Sequence, residues 1–486
     1  MEKFYLKTRK FDKICVLIFS ILFLTVGFLQ ASSLSFGKPI ISWVQWPAVA
    51  LGCLIIFERL LNFKHYIKTR GILLLVIFAL SYAVSSIWTI RYGWYENARF
   101  LAFMIFQFGI LYATDTEENP DESKKRLAIC AVYYLIGTAV LTVLSFYFMF
   151  SGYTKIFYPE AGAEGPIYYI GFMYGRLFGA YWDPNIAATM AAVAVIISIY
   201  FIIKSKNVLL RMLYILSAIL QVLYISFSGS RTGQISLIAG VLFFALPLAI
   251  KHRFFNKKLL QSISAAVIVL VSVVCAYILP SAIRNGYNTL VHIQAQHNNE
   301  NSTQTSPPTN QTVPPTENHN IPDDVFDRGY DMSEDISNRR FDIWKSAVEI
   351  FKTSPVFGIS RANILPYVDD NLPDSYLVTN EYMRFDSMHN MFFEILVSQG
   401  AVGLITFLTF IIFVIVGIFK YGKYLWYHKY FPLFTVILSI AASACMSTLV
   451  MAEIVYVTSP ISTIFWISIS CLNHYISHEK AEKDIK

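Results

Sequence analysis

The chain has 486 residues, of which 55% are hydrophobic and only 15% charged, and its formal net charge is +7. Because a soluble domain carries roughly 25% charged residues, this composition excludes an ordinary soluble protein. The hydrophobic residues fall in runs of about 20, the length that a helix needs to cross a hydrocarbon core about 30 Å thick. These runs are apolar on all sides, whereas strands of a membrane barrel alternate. The sequence therefore predicts an all-α polytopic membrane protein.

The runs predict about twelve transmembrane helices arranged in four regions. The predicted spans are 12–30, 40–58, 71–90, 97–114, 127–150, 184–203, 208–227, 232–250, 259–279, 395–419, 431–451 and 456–474. The regions are the N-terminal helices in 1–150, the central helices with arginine motifs in 151–280, a long loop in 281–394 and the C-terminal helices in 395–486. The long loop connects the ninth and tenth spans.

Lysine and arginine residues concentrate in alternate connections between the spans, starting with the N-terminal segment. By the positive-inside rule, both termini are predicted to be cytoplasmic and the long loop extracytoplasmic. Since these topogenic residues account for most of the positive charge, no nucleic-acid partner is predicted. The six cysteines all lie in predicted spans, which indicates apolar packing residues and not disulfides or metal ligands.

The long loop divides into two parts of different character. Residues 294–325 are rich in Asn, Thr and Pro, and such a segment cannot bury enough apolar surface to offset its ordering entropy, so it is predicted to be disordered. Residues 338–352 predict a short amphipathic helix on the membrane face, ended by Pro355 and Gly358. Its apolar face is predicted to consist of Phe341, Trp344, Val348 and Phe351.

Three arginines lie at predicted outer positions where a phosphate could bind. Arg231 lies in the very short connection Ser228–Gly233, Arg340 lies one helical turn from Trp344, and Arg176 lies near the end of loop 151–183. Guanidinium groups bind phosphate oxygens bidentately and stay charged at any working pH. The alternatives are a snorkelling role for Arg231 and a loop-holding or lipid-binding role for Arg176. The spacing to Trp344 favours Arg340 over its neighbour Arg339.

His389 is the candidate general base, because histidine titrates near neutrality and nearby arginines would keep it neutral. The alternative is a capping or interfacial histidine at the start of a helix. Asn390 is either a supporting polar group or a helix cap. Glu394 enters the membrane, where an ionisable group suggests function, although it could also form a structural ion pair with Arg340. Asp183 is predicted as a helix cap, and Glu453 is a further candidate. Tyr181, Trp182 and Trp344 are candidates for stacking on sugar rings, the alternative being that they are ordinary interfacial aromatics.

Taken together, the motifs resemble the O-antigen ligase and polymerase superfamily over roughly residues 170–420. They are Gly179 with Pro184-Asn185, Ser228-Gly229-Ser230-Arg231-Thr232-Gly233, Arg340-x-x-x-Trp344, Pro355 with Gly358, His389-Asn390 and Gly400-Ala401-Val402-Gly403. The resemblance implies a bacterial plasma-membrane enzyme that transfers a glycan from a polyprenyl-diphosphate carrier to an acceptor hydroxyl on the outer face. It implies no nucleotide sugar, metal or other cofactor. By motif, Arg231 and Arg340 would lie near the diphosphate and His389 near the acceptor.

Two enzymes fit this resemblance, and a transporter remains a distant alternative. A polymerase transfers the growing chain onto another lipid-linked repeat unit, whereas a ligase transfers finished glycan to lipid A-core or another surface acceptor. The Ile-, Lys-, Asn-, Phe- and Tyr-rich composition is typical of an AT-rich genome. It thereby favours a cell without lipid A, and hence a polymerase of a surface polysaccharide such as capsule or exopolysaccharide. Transporters place ionisable groups near the bilayer midplane, whereas the predicted spans here are almost free of central charge. A flippase is therefore disfavoured. The expected partners are the glycan donor and acceptor, membrane lipids and other polysaccharide-assembly proteins.

Overall fold

The computed structural model describes residues 2–35, 38–158, 167–251, 258–303, 325–326, 339–380, 384–427 and 430–484. Long helices dominate this part of the chain. In chain order they are α1 (Glu2–Ala31), α2 (Ile40–Leu61), α3 (Phe63–Tyr66), α4 (Ile72–Trp88), α5 (Tyr95–Phe106), α6 (Pro120–Phe150), α7 (Pro184–Lys204), α8 (Val208–Ser228), α9 (Arg231–Lys251), α10 (Lys258–Thr303), α11 (Arg340–Thr353), α12 (Ile364–Asn371), α13 (Tyr376–Thr379), α14 (Met391–Tyr427), α15 (Phe431–Thr448) and α16 (Pro460–Asp484).

A helix lies at each of the twelve predicted span positions, and the all-α membrane class is confirmed. Within the described ranges, nine helices are long and apolar enough to cross a membrane, and α4 is a shorter apolar helix. Helix α5 continues into a π-helical turn, Gln107–Tyr112. The figure of twelve crossings therefore remains a prediction. All six cysteines lie in helices, as predicted. Cys15, Cys130 and Cys471 are buried, and the other three are exposed in the described structure.

Helix α10 differs most from the prediction. It runs through Pro280 to Thr303, well past the predicted start of the loop at Ser281. Residues 294–303 are therefore helical and not disordered, because the helix continues without a break once the apolar run has ended. Residues 304–324 of the segment 294–325 lie outside the described part of the chain.

The connection between α6 and α7 contains a small sheet that the sequence did not predict. Strands β1 (Lys155–Phe157), β2 (Tyr168–Met173) and β3 (Arg176–Gly179) are antiparallel in that order. Tyr174 and Gly175 join β2 to β3 with positive φ angles of 53° and 66°, the backbone of a tight two-residue hairpin turn. Immediately after the sheet, Trp182 N–H donates to the Ala31 carbonyl at 3.2 Å. The segment that follows the sheet is therefore attached to the end of α1.

The centre of the helical bundle is α7, which is buried on all sides over most of its length. Its sequence from Ala187 to Ala194 is rich in alanine, so neighbouring helices can approach closely. Helices α8, α9 and α15 pack around it. Gly233 of α9 illustrates the fit, since a Cβ placed there would lie 2.3 Å from the Ala188 Cβ. This packing fixes the start of α9, and with it Arg231, against the start of α7.

Helix α14 is broken at Gly400, which has φ 62° and ψ −158°. Backbone groups freed by a break in a membrane helix need partners, because lipid offers none. The loop segment 355–360 supplies them: Ile359 N–H donates to Val397 O at 2.9 Å, Ser360 N–H to Ser398 O at 3.0 Å, and Ala401 N–H to Pro355 O at 2.8 Å. The long loop is therefore hydrogen-bonded directly onto the break.

Two glycines permit this close approach of two backbones. Gly358 has φ 68° and Gly400 has φ 62°, a region that side chains with a Cβ rarely adopt. A Cβ at Gly358 would lie 2.4 Å from Val397 O, and one at Gly400 would lie 2.4 Å from Val356 O. The motif residues Gly358 and Gly400 are thus two sides of one contact.

Gly400→Ala should destabilise the protein, by about 1–3 kcal/mol from backbone strain alone, and more if the loop detaches. Thermal unfolding of the purified protein in detergent measures the effect. Gly286→Ala is the matched control, because a Cβ at that helical glycine meets no atom within 4 Å. An unchanged melting temperature for Gly400→Ala would show that the loop is not held at the break.

Candidate functional site

Helix α11 begins the site, two residues later than predicted, with Arg339 in a left-handed conformation at φ 65° before it. Its inward face consists of Ile343, Ala347 and Ile350, which are all buried. The predicted apolar face was wrong, since Phe341 is 67% and Val348 39% exposed. The helix carries apolar residues on two sides, so periodicity alone could not decide which side packs.

The inward face joins a separate hydrophobic cluster formed by the long loop and the start of α14. The buried members are Ile343, Ala347, Ile350, Ile359, Ile364, Val368, Leu377, Phe385, Met388 and Val397. Because residues 339–380 and 384–389 contribute their own core, this described part of the loop is a folded element attached to the bundle. The side chains that it carries have fixed positions.

Trp344 links α11 to the turn that carries His389. Its indole N–H donates to the Met388 carbonyl at 3.0 Å, and its ring stacks on Phe393 with centroids 5.3 Å apart. These contacts occupy the ring in a structural role. They hold Arg340, one turn earlier, beside the His389 turn.

His389 itself has an unusual backbone, with φ 47°. A residue other than glycine costs about 1–3 kcal/mol in such a conformation, which persists only where its surroundings impose it. Glu394 imposes it here, because its Oε2 accepts from Met388 N–H at 2.7 Å and from the Ser387 hydroxyl at 3.0 Å. The imidazole also lies edge-on to Phe385. Its direction is therefore set by the turn.

The partner of Glu394 is Arg361. The Arg361 Nε lies 2.5 Å from Glu394 Oε1, and the two side chains are 15% and 0% exposed. Arg361 also donates to the Asp386 carbonyl. The alternative of an ion pair between Glu394 and Arg340 was wrong, because the Gly358 turn brings Arg361 to the head of α14. Arg361 was missed in the sequence, where the only signal is an arginine soon after the Pro355–Gly358 motif.

Asn390 is a helix cap, one of its two predicted roles. Its Oδ1 accepts from Phe392 N–H at 2.9 Å and Phe393 N–H at 3.2 Å. Its Nδ2 donates to the Leu449 carbonyl at 2.8 Å. The residue thus starts α14 and fastens it to the turn that follows α15.

Arg176 connects three segments. Its Nε donates to the Ser228 carbonyl and its Nη2 to Asn185 Oδ1, both at 2.9 Å. The Ser230 hydroxyl reaches the same Asn185 oxygen at 3.0 Å. This is the loop-holding role that the sequence left open, and it accounts for Asn185 in the motif.

Arg231 is the first residue of α9 and is exposed. Gly229 ends α8 in a left-handed conformation at φ 60°, which turns the chain so that α9 starts within two residues. Asp183 lies at the adjacent start of α7, where its carboxylate accepts from Asn185 N–H at 2.6 Å. The predicted N-cap role of Asp183 is confirmed.

The charges of Arg231, Arg340 and Asp183 shift the pKa values of neighbouring groups in the site. Burial lowers the pKa of the Arg340 guanidinium. The Asp183 carboxylate raises this pKa, and the positive charge of Arg231 lowers it further. Burial lowers the pKa of the His389 imidazole, and the charges of Arg340 and Arg361 lower it further. The carboxylates of Asp183 and Asp386 raise this pKa and so oppose the shift. The imidazole is therefore neutral at pH 7, the form that can accept a proton.

Glu453 adds a buried carboxyl group in the turn that contains Leu449. Its Oε2 accepts from the Ser447 hydroxyl at 2.6 Å. Its pKa is raised to about 8, mainly by burial, while the Ser447 hydrogen bond opposes the rise and Asp183 adds to it. At neutral pH the carboxyl group is therefore mostly protonated. A protonated carboxyl in such a place can donate a hydrogen bond.

Residues 216–408 match the family model for O-antigen ligase. The predicted superfamily is confirmed over this range. The matched segment runs from α8 into α14 and contains Arg231, Arg340, Arg361, His389 and Glu394. Arg176 and Glu453 lie outside the O-antigen ligase segment. In the described residues, no three His, Cys, Asp or Glu side chains are grouped so that they could hold a metal ion.

A protein of Haemophilus influenzae named only as uncharacterized is 23% identical to this chain over 224 residues. The match covers 46% of each chain, so the chain spans less than half of the relative's length in this alignment. The name of that relative assigns no activity.

Removing Arg361 should leave the Glu394 carboxylate buried without its countercharge. Arg361→Ala is expected to destabilise the protein by about 3–5 kcal/mol, whereas Arg361→Ala combined with Glu394→Gln should restore part of the loss. Unfolding in detergent measures both variants. Arg384→Ala is the control, because Arg384 and Asp369 form a partly exposed pair, 34% and 46% exposed, worth about 0–1 kcal/mol. Equal effects of Arg361→Ala and Arg384→Ala would contradict a tethering role for Arg361.

Proposed function

We propose that this protein is a membrane glycosyltransferase of surface polysaccharide assembly. It moves a glycan from a polyprenyl-diphosphate carrier to an acceptor hydroxyl on the outer face of the bacterial plasma membrane. The observation that carries the proposal is the grouping of Arg231, Arg340 and a neutral His389 within the segment that matches O-antigen ligase.

The two arginines fit the donor diphosphate. They repel each other, since Arg231 lowers the pKa of the Arg340 guanidinium, and a bound anion between them would relieve that repulsion. Arginine forks bind phosphate oxygens bidentately. As the sugar–oxygen bond breaks, negative charge grows on the leaving diphosphate, and fixed cations in a partly dry site stabilise it. Arg176 supports this donor site by holding Ser228 and Asn185 in place.

His389 fits the acceptor side. The acceptor oxygen attacks the anomeric carbon and its proton passes to the imidazole, while the bond from that carbon to the diphosphate oxygen breaks. Polyprenyl diphosphate leaves with the electron pair. A positioned base of this kind contributes typically about 10²–10⁴-fold. Direct displacement inverts the anomeric configuration, and none of these steps involves a metal or cofactor.

Of the two enzymes, we favour a polymerase, because of the amino-acid composition of the chain. Ligase is the second candidate, favoured by the description of the family model as O-antigen ligase. A flippase would move the lipid-linked glycan across the membrane without breaking the sugar–phosphate bond. These three outcomes differ in the length and attachment of the glycan.

In a deletion strain, His389→Ala, Arg340→Ala and Arg231→Ala should each abolish polymer transfer while the protein still inserts. Surface and lipid-linked glycans separated by size measure the outcome. Single repeat units in place of long chains would indicate a polymerase, and long chains retained on the carrier would indicate a ligase. Lys345→Ala is the matched control, because Lys345 is an exposed cation on the same helix as Arg340. Full activity of all three alanine variants would contradict the site.

The pH dependence of the reaction should follow His389. Since its pKa is lowered, activity should persist at neutral pH and fall only below about pH 6.5, the ordinary histidine value. Asp183→Asn removes a group that raises this pKa and keeps a side chain that caps helices well. The acid limb of kcat/KM should then move to lower pH.

The control for this shift is Asp370→Asn, an exposed carboxylate of the same loop that is not among the groups acting on His389. Its acid limb should match that of the unaltered protein. An acid limb that stays in place in Asp183→Asn, or lies above pH 6.5 in the unaltered protein, would contradict His389 as the base.

A further inference from the structure

A cleft opens between α6, α7 and α15 at the end of the bundle that lies away from the candidate site. It has an empty volume of about 770 Å³, part of it open to the surroundings. Apolar side chains such as Leu127 and Ile197 form its walls. The residues with polar groups that line it are Lys124, Tyr200, Lys204 and Tyr430. The cleft therefore combines positive charge with an elongated apolar surface.

The length of α7 separates this cleft from the glycan site. The helix starts beside Asp183 and ends at Lys204, and its 21 residues span about 30 Å at a rise of about 1.5 Å per residue. Under the predicted topology, the lysine end lies in the cytoplasmic leaflet. The donor carrier and the acceptor would both bind at the opposite end of α7.

The charges in the cleft have one sign. Among the described residues that line it, none is acidic. The Lys124 ammonium lies 5.7 Å from the centre of the Tyr430 ring, within the range of a cation–π contact. This contact places Lys124 at the same cleft as Lys204. Isolated lysines at a membrane interface are ordinary snorkelling residues, but two lysines on one apolar cleft fit an anionic group that has an apolar tail.

We propose that this cleft binds an anionic phospholipid of the cytoplasmic leaflet. The headgroup phosphate lies between Lys124 and Lys204, and an acyl chain follows the apolar walls between α6 and α7. Basic clefts between membrane helices bind anionic headgroups in this way. The proposal is independent of the glycosyl-transfer reaction.

Native mass spectrometry of the purified full-length protein tests the proposal, with phosphatidylglycerol and phosphatidylcholine as probes. The unaltered protein should bind phosphatidylglycerol more tightly than phosphatidylcholine. The double variant Lys124→Ala/Lys204→Ala should lose about thirtyfold in that preference. The control is Lys64→Ala/Lys68→Ala, which removes two exposed lysines outside the cleft and should bind like the unaltered protein.

A second variant tests the acyl-chain part of the cleft. Ala128 lines the cleft and is half-buried, so Ala128→Leu should narrow it and weaken binding of phosphatidylglycerol while both lysines remain. Equal binding of the two lipids by the unaltered protein would overturn the proposal. So would an unchanged preference in the lysine double variant, or soluble glycerol phosphate binding as tightly as the lipid.

Discussion

The break of helix α14 at Gly400 is the constraint on which the candidate-site end of the molecule depends. A membrane helix cannot leave backbone N–H and C=O groups unpaired in lipid, and the loop segment 355–360 pairs them. Once that segment is fixed, Arg361 lies at the head of α14 beside Glu394. Glu394 in turn fixes the backbone of Ser387 and Met388. The direction of His389 thus follows from a backbone break some distance from it.

The same arrangement accounts for the electrostatics of the site. Arg361 is neutralised by Glu394, so it acts on His389 only as a minor influence, whereas Arg340 is the main charge that lowers the imidazole pKa. Arg340 and Arg231 repel each other, since Arg231 lowers the pKa of the Arg340 guanidinium. A pair of this kind is suited to a dianionic group such as a diphosphate. Arg361 and Arg176 thus have structural roles in the site, whereas Arg340 and Arg231 are the arginines proposed to bind the ligand.

Much of this could be predicted from the sequence, because length and hydropathy locate membrane helices and short motifs locate the polar residues. The start of α7 and the turn before α9 agree with the motif positions at Pro184 and Arg231. The buried face of α11 could not be predicted, since the side that packs is decided by the loop core, which includes Val368 and Met388. Arg361 was missed because its importance arises from a contact with Glu394 across a backbone turn. The sheet that fixes Arg176 was also missed, as its strands are short and contain little alternation.

The central claim is that the outer arginines and His389 break a sugar–diphosphate bond and form a new glycosidic bond. Purified protein in vesicles, supplied with a polyprenyl-diphosphate-linked glycan and a lipid-linked acceptor, tests this most directly. The account predicts release of polyprenyl diphosphate in equal amount to the glycan transferred, with inverted configuration at the new anomeric centre. Retained configuration, or passage of intact lipid-linked glycan across the vesicle membrane without cleavage, would contradict it.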